Sequence, residues 1–168
     1  METAQKRNGV LNKESIRRKM KRMALQIAEQ NNEEKEIIIA GIAGNGSVVA
    51  RQLVNDLQQI ASFDIQLSEI HLNKKEPLEV SLSPEIDVKD KVVIVIDDVA
   101  NTGKTMLYAL KPFLASQPRK IQTLVLVERS HKLFPIQTDY AGLSIATTLQ
   151  EHIAVETDGD DITGAWLY

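Results

Sequence analysis

Apolar residues recur along this chain with two rhythms, and the switches between them mark its elements. Ile16, Met20, Met23, Ala24 and Ile27 lie three or four residues apart, which gathers them on one face of a helix. The spacing predicts a helix over 13–31, with Asn12 as its cap. Val49, Leu53, Leu57 and Ile60 repeat the rhythm and predict a helix over 47–60. A third is expected over 105–114, ended near Ser116-Gln117-Pro118. Between the helices stand short, largely apolar runs at 36–40, 92–96 and 121–127, the pattern of strands covered on both faces. Residues 63–72 alternate apolar and polar, as a half-buried strand does. After the turn Asn73-Lys74-Lys75-Glu76-Pro77, residues 78–82 are expected to pair back as a hairpin, and 87–91 form a charged linker. Beyond 127 only short strands are expected, around Ile136, at 143–146 and at 153–155, followed by an acidic turn at 158–161 and a closing strand over 165–168. Residues 1–11 read as a loose arm or a short edge strand.

Strands alternating with helices imply an α/β fold, a parallel sheet wrapped on both faces. The 168 residues suit a single domain over 1–168. Two glycine-bearing loops, 41–46 and 98–103, each follow a strand and precede a helix. They are therefore expected on one rim of the sheet, beyond the carboxyl ends of the strands, where such sheets bind ligands.

Composition narrows the setting. A hydrophobic share of 43% and a charged share of 26% are those of an ordinary globular protein. The absence of cysteine rules out disulfides and thiolate-held metals and points to a reducing, cytoplasmic compartment. No apolar run reaches membrane-spanning length and the opening METAQKRNGV is polar, so neither a membrane span nor a secretory signal is expected. A net charge of −3 supplies no global attraction to nucleic acid. His71, His131 and His152 are too far apart in sequence for a zinc-ligand pattern.

The chemistry concentrates in 92–105, VVIVIDDVANTGKT. An apolar strand runs into two adjacent acids, Asp97 and Asp98, then a small-residue loop, then a helix opened by Lys104-Thr105. Backbone amides over a helix start favour an anion, and Gly103 permits close approach. Two carboxylates beside a phosphate site repel it, but sugar hydroxyls donate to carboxylates, so a sugar phosphate satisfies both halves. A Walker A loop is excluded by counting: Asp98 stands where its first glycine belongs.

Asp97-Asp98-Val99-Ala100-Asn101-Thr102-Gly103-Lys104-Thr105 resembles, without a gap, the signature of the type I phosphoribosyltransferases. The segments LNKESIRRKMKRMALQIAEQN, GIAGNGSVVARQL and LVERSHKLFPIQTDYAGLSIATT look like the bifunctional pyrimidine-operon regulator/uracil phosphoribosyltransferase family. The resemblance implies a phosphoribosyltransferase fold, Rossmann-like, with a small β-rich hood, and association as a homodimer or higher homo-oligomer. It implies transfer of the 5-phosphoribosyl group from phosphoribosyl pyrophosphate (PRPP) to a base, best uracil, giving uridine monophosphate (UMP) and pyrophosphate with Mg²⁺. A nucleotide-sensing RNA-binding regulator with little turnover is the second reading, and a purine phosphoribosyltransferase the third.

By that resemblance Asp97 and Asp98 are the catalytic acids holding the ribose hydroxyls, while Ala100, Asn101, Thr102, Gly103, Lys104 and Thr105 cradle the 5′-phosphate. Ala43, Gly44, Asn45 and Gly46 stand in the pyrophosphate loop, and no Lys or Arg is present there, where the family often carries one. Tyr140 and Ala141 match the hood position that contacts the base, with Arg129 ending the strand before it; core packing and base contact are both open for Tyr140. No residue is expected to hold metal directly, Mg²⁺ arriving with PRPP and touching Asp97 or Asp98 at most. Asn101 replaces the acid of purine enzymes and cannot act as a general base. Residues 72–91, the family's mobile lid, are short here.

Lys13, Arg17, Arg18, Lys19, Lys21 and Arg22 crowd one short stretch, either a solvated helix face or a site for RNA phosphates. Arg22, His131 and Lys132 sit where the regulator family places RNA-facing residues, but Gln137 and Leu149 replace basic ones. RNA binding is therefore expected to be weak.

Overall fold

The computed structural model describes residues 7–168; the part of the expected N-terminal arm over 1–6 lies outside them. The chain opens with strand β1 (Asn8–Asn12) and helix α1 (Lys13–Gln30). Asn12 caps α1 reciprocally: its Oδ1 accepts the Ser15 N–H at 2.8 Å and Ser15 Oγ accepts the Asn12 N–H at 3.0 Å. Next come β2 (Glu36–Ile42), α2 (Asn45–Gln58), β3 (Asp64–Leu72) and β4 (Val80–Ser83). The central strand β5 (Val92–Ala100) leads into α3 (Lys104–Ala109), α4 (Lys111–Leu114) and β6 (Lys120–Arg129). β7 (Tyr140–Ile145), β8 (Ile153–Asp158) and β9 (Asp161–Leu167) complete the chain.

Six strands form the main sheet in the order β4-β3-β2-β5-β6-β7. All neighbours are parallel except the β3–β4 hairpin. Alternation assigns the two faces. Ile37, Ile39, Ile94 and Ile96 pack with residues of α1 and α2; Ile38, Ala40, Val93 and Val95 pack with Met106, Ala109 and Phe113 of α3 and α4. β2 pairs with β3 on one side and β5 on the other, so strand order reverses there and leaves a crevice beyond the ends of β2 and β5.

A separate three-stranded antiparallel sheet, β1-β9-β8, forms the hood. It leans on α1 and α2 and reaches β5 through β8.

The main departures from expectation have local causes. The helix expected over 105–114 is two short ones, because Pro112 cannot donate to the carbonyl four residues back and its ring clashes with it. Ile136 lies in no strand; residues 130–139 are a loop packed on another loop. β5 continues through both acids to Ala100, held by β6 in the register Asp97↔Val125 and Ala100↔Glu128. β7 starts at Tyr140 and belongs to the main sheet, so Tyr140 and Ala141 are not hood residues.

Candidate active site

Asp97 and Asp98 end the apolar run of β5, at the mouth of the crevice. Asp97 is 2% exposed. Its Oδ1 accepts the Asp98 N–H at 2.9 Å and lies 3.9 Å from the Lys74 ammonium. Burial, with the Asp98 carboxylate adding to it, pushes the Asp97 pKa well above the ordinary carboxylate range; Lys74 opposes the shift. Gly46 packs so closely on this group that a Cβ there would come within 2.9 Å of Asp97 Oδ1. Half-buried Asp98 accepts the N–H of Val99, the next residue of β5, at 2.9 Å and the Asn45 Nδ2 donor at 3.1 Å. The last contact joins the two glycine-bearing loops.

The loop after β5 is braced from behind. Gly103 has φ 84°, and a Cβ there would meet Ile136 Cγ2 at 2.5 Å, so space and backbone both demand glycine. The Thr102 carbonyl accepts the Leu133 and Phe134 N–H groups at 3.0 and 3.1 Å. Thr102 Oγ1 accepts the Lys104 N–H at 3.2 Å. The bracing segment is itself tied down, with Glu128 accepting from Lys132 at 2.8 Å and from Thr138 at 2.6 Å.

The hood closes the third side. His152 and Tyr168 exchange both backbone hydrogen bonds, at 3.1 and 3.0 Å. In an antiparallel pair the neighbouring residues turn their N–H and C=O the other way. Among the described residues β8 is an edge strand, so Ile153 and Val155 present backbone groups to the crevice. Asn101 meets Ile153 there, and Asn45 Nδ2 donates to the Val155 carbonyl at 2.9 Å.

The result is a cleft of about 440 Å³ lined by Asn45, Lys74, Asp97–Thr102, Gly103, Thr105, Met106 and His152–Val155. Ala100, Asn101, Thr102, Gly103 and Thr105 line it as expected; Lys104 contributes its backbone to the helix start. In the other loop Asn45 lines the cleft and Gly46 backs Asp97, while Ala43 faces an adjoining groove beside His71, and Gly44 is the left-handed hinge into α2. Among the described residues no group of His, Cys, Asp and Glu could hold a metal alone. A hard cation shared between one or two carboxylates and substrate oxygens fits this donor set.

Several assignments need correction. Tyr140 is 2% exposed, packs in the core under α1, and its hydroxyl bonds the Gln30 and Gln122 side chains at 2.8 Å. Neither it nor Ala141 lines the cleft, because alternation on a main-sheet strand sends them into the two core faces. Arg129 is also outside the lining; its guanidinium donates to the Glu151 carbonyl and so supports the approach to β8. Lys132, with a side chain 11% exposed, is engaged by Glu128, and Arg22 donates to the Ala141 and Gly142 carbonyls, each at 3.0 Å. Lys132 is thereby held against the protein, while Arg22 and His131 are exposed.

Lys74, His152, Ile153 and Val155 were not foreseen as site residues. Lys74 had a signal, two lysines in a turn on the ligand-binding rim. The β8 edge had none, since it depends on which strand lacks a neighbour.

The Phosphoribosyl transferase domain family matches residues 8–159. The Bifunctional protein PyrR of Staphylococcus carnosus is 34% identical over 163 residues, covering 89% of this chain and 93% of that protein. The Bifunctional protein PyrR of Bacillus pumilus is 34% identical over 172 residues, covering 94% and 96%. Among solved structures, the hypoxanthine phosphoribosyltransferase of Trypanosoma cruzi superposes with a TM-score of 0.76 over 94% of this chain and 95% of that one, at 16% identity; at that identity the likeness is one of fold. The acids, the braced loop and the hood thus occur together in a chain that matches the domain family over nearly all its length, and it belongs to the phosphoribosyltransferase family, among the relatives of the bifunctional PyrR proteins.

Proposed function

We propose that the cleft binds PRPP and transfers its phosphoribosyl group to uracil, producing UMP and pyrophosphate. One observation carries the reading: both acids, the braced loop and the open edge of β8 face a single cleft. Asp97 and Asp98 hold the ribose 2′- and 3′-hydroxyls, which donate to them. The 5′-phosphate rests on the amides and hydroxyls from Ala100 to Thr105. Lys74 offers the positive charge that the 43–46 loop lacks, on the pyrophosphate side. The C1–O bond to pyrophosphate breaks, a bond from C1 to the base nitrogen forms, and the nitrogen's proton is released to solvent. Mg²⁺ bound with the substrate would neutralise the leaving pyrophosphate. The protein's part is positioning and exclusion of water.

The test is pyrophosphate release from PRPP and Mg²⁺ with each base in turn. Release with uracil alone is expected; release with guanine or hypoxanthine alone would overturn the uracil assignment in favour of a purine.

A second reading, a uridine-nucleotide sensor with little turnover, is favoured by Asn101, which cannot remove a proton and is committed to the hood. Tight UMP binding without pyrophosphate release would select it. RNA would then meet the exposed basic face of α1, at Arg17, Arg18 and Lys21, and its affinity would fall steeply with salt. We further infer one cytoplasmic domain acting as a homo-oligomer, which light scattering would check.

A further inference from the structure

Asn101 belongs to the phosphate loop by sequence, but its side chain turns out of the loop and holds the hood. Nδ2 donates to the Ile153 carbonyl at 3.1 Å, and Oδ1 accepts the Ile153 N–H at 3.3 Å. A carboxamide can make both bonds to one residue because it carries a donor and an acceptor side by side. Ile153 offers the matching pair because His152 is committed to Tyr168 and, among the described residues, β8 has no further strand neighbour in its sheet. An unpaired strand edge such as this is a template for any partner that supplies an N–H and a C=O in register.

A ring lactam supplies the same pair: its N–H can donate to the Ile153 carbonyl while its C=O accepts the Ile153 N–H. The Asn101 carboxamide is chemically the same edge on a tether. It stands one residue before Thr102 and three after Asp98, so it lies between the expected positions of phosphate and pentose and the hood.

We propose that Asn101 is an internal surrogate for the nucleobase, holding the Ile153 edge until a base with a lactam edge displaces it. The inference rests on the phosphoribosyltransferase reading of the cleft. Displacement exchanges two hydrogen bonds for two others, so the latch can open without leaving a buried group unpaired. It costs affinity: apparent binding of any base falls in proportion to the fraction of molecules with the edge free. An acid at this position could not substitute, because a carboxylate has no donor for the Ile153 carbonyl.

Calorimetric titration of UMP and of ribose 5-phosphate tests the latch. The two ligands share pentose and phosphate and differ in the base, so the readout is the ratio of their affinities. In Asn101→Ala the ratio is expected to move toward UMP by about tenfold, the change produced by removing a competitor engaged about nine-tenths of the time. Asn101→Asp, which keeps the side-chain size but loses the donor, is expected to move it in the same direction and serves if the alanine variant does not fold. An unchanged ratio in the folded variant, or a move toward ribose 5-phosphate, overturns the latch while leaving the site assignment standing. If the unaltered protein binds neither ligand, the reading of the cleft falls as well.

Discussion

Asp97 is the residue at which stability and chemistry conflict. A carboxylate 2% exposed beside a second acid is costly to ionise, and Lys74, 3.9 Å away, and the Asp98 N–H offset only part of that cost. Its folded-state pKa is raised, so its contribution to stability is complete below the ordinary carboxylate pKa and is lost as pH rises through the folded value. Asp97→Asn is therefore expected to raise Tm at pH 8, by about 2–4 °C for each kcal/mol of removed charge burial, and to lose most of that gain as the pH falls. Thermal melts across that range check it, and a gain independent of pH would contradict the assignment of the shift to Asp97. The same variant should weaken ribose 5-phosphate binding, since an amide replaces an acceptor that two hydroxyls share. That the acids belong to a ligand site was legible in the residues, because an apolar strand seldom ends in two acids without a partner for them. That Asp97 is the more buried of the two was not legible. It follows from β5 continuing past the acids, which sends alternate residues to opposite faces.

The loop and its brace form the element on which phosphate binding rests. His131 and Lys132 are expected to face RNA, but the segment that carries them supports the loop from behind: Leu133 and Phe134 donate to the Thr102 carbonyl, and Ile136 fills the space under Gly103. Gly103→Ala forces a left-handed backbone on a residue with a Cβ and drives that Cβ to 2.5 Å from Ile136 Cγ2. The expected cost is about 1–3 kcal/mol, seen as a lower midpoint in urea together with weaker binding of ribose 5-phosphate. Adding Ile136→Ala removes the clash but not the backbone strain, so the pair should recover part of the stability. Full recovery would show that crowding alone matters. Pro112 teaches a related lesson, since the apolar spacing of 105–114 is helical throughout and one ring is enough to divide it into α3 and α4.

For the molecule as a whole, the question is how the hood is held over the sheet. Asn45 joins the two parts through three contacts, donating to Asp98 and to the Val155 carbonyl and accepting from Thr157 Oγ1 at 3.0 Å. Asn45→Ala should cost about 1–3 kcal/mol and should speed hydrogen exchange in β8 and β9 while leaving β2, β5 and β6 protected. Uniform loss of protection would mean that hood and sheet open together. The alternation of apolar runs and helical spacing sufficed for the α/β class, for the order of most elements and for the placing of both loops on one rim, since each of these follows from contacts within a few residues. The Asp-Asp-loop-helix segment likewise declared its chemistry locally. What depended on the folded molecule was everything set by strand pairing over long range. Tyr140 and Ala141 left the hood because β7 joins β6. Lys132 and Arg22 turned to partners at Glu128 and on β7. Ile153 faces the cleft because, among the described residues, its strand has no strand neighbour on that side. Hydrogen-bonding direction along a strand is invisible until its partner and register are known, so the residues that face a ligand through their backbone leave no mark in side-chain chemistry.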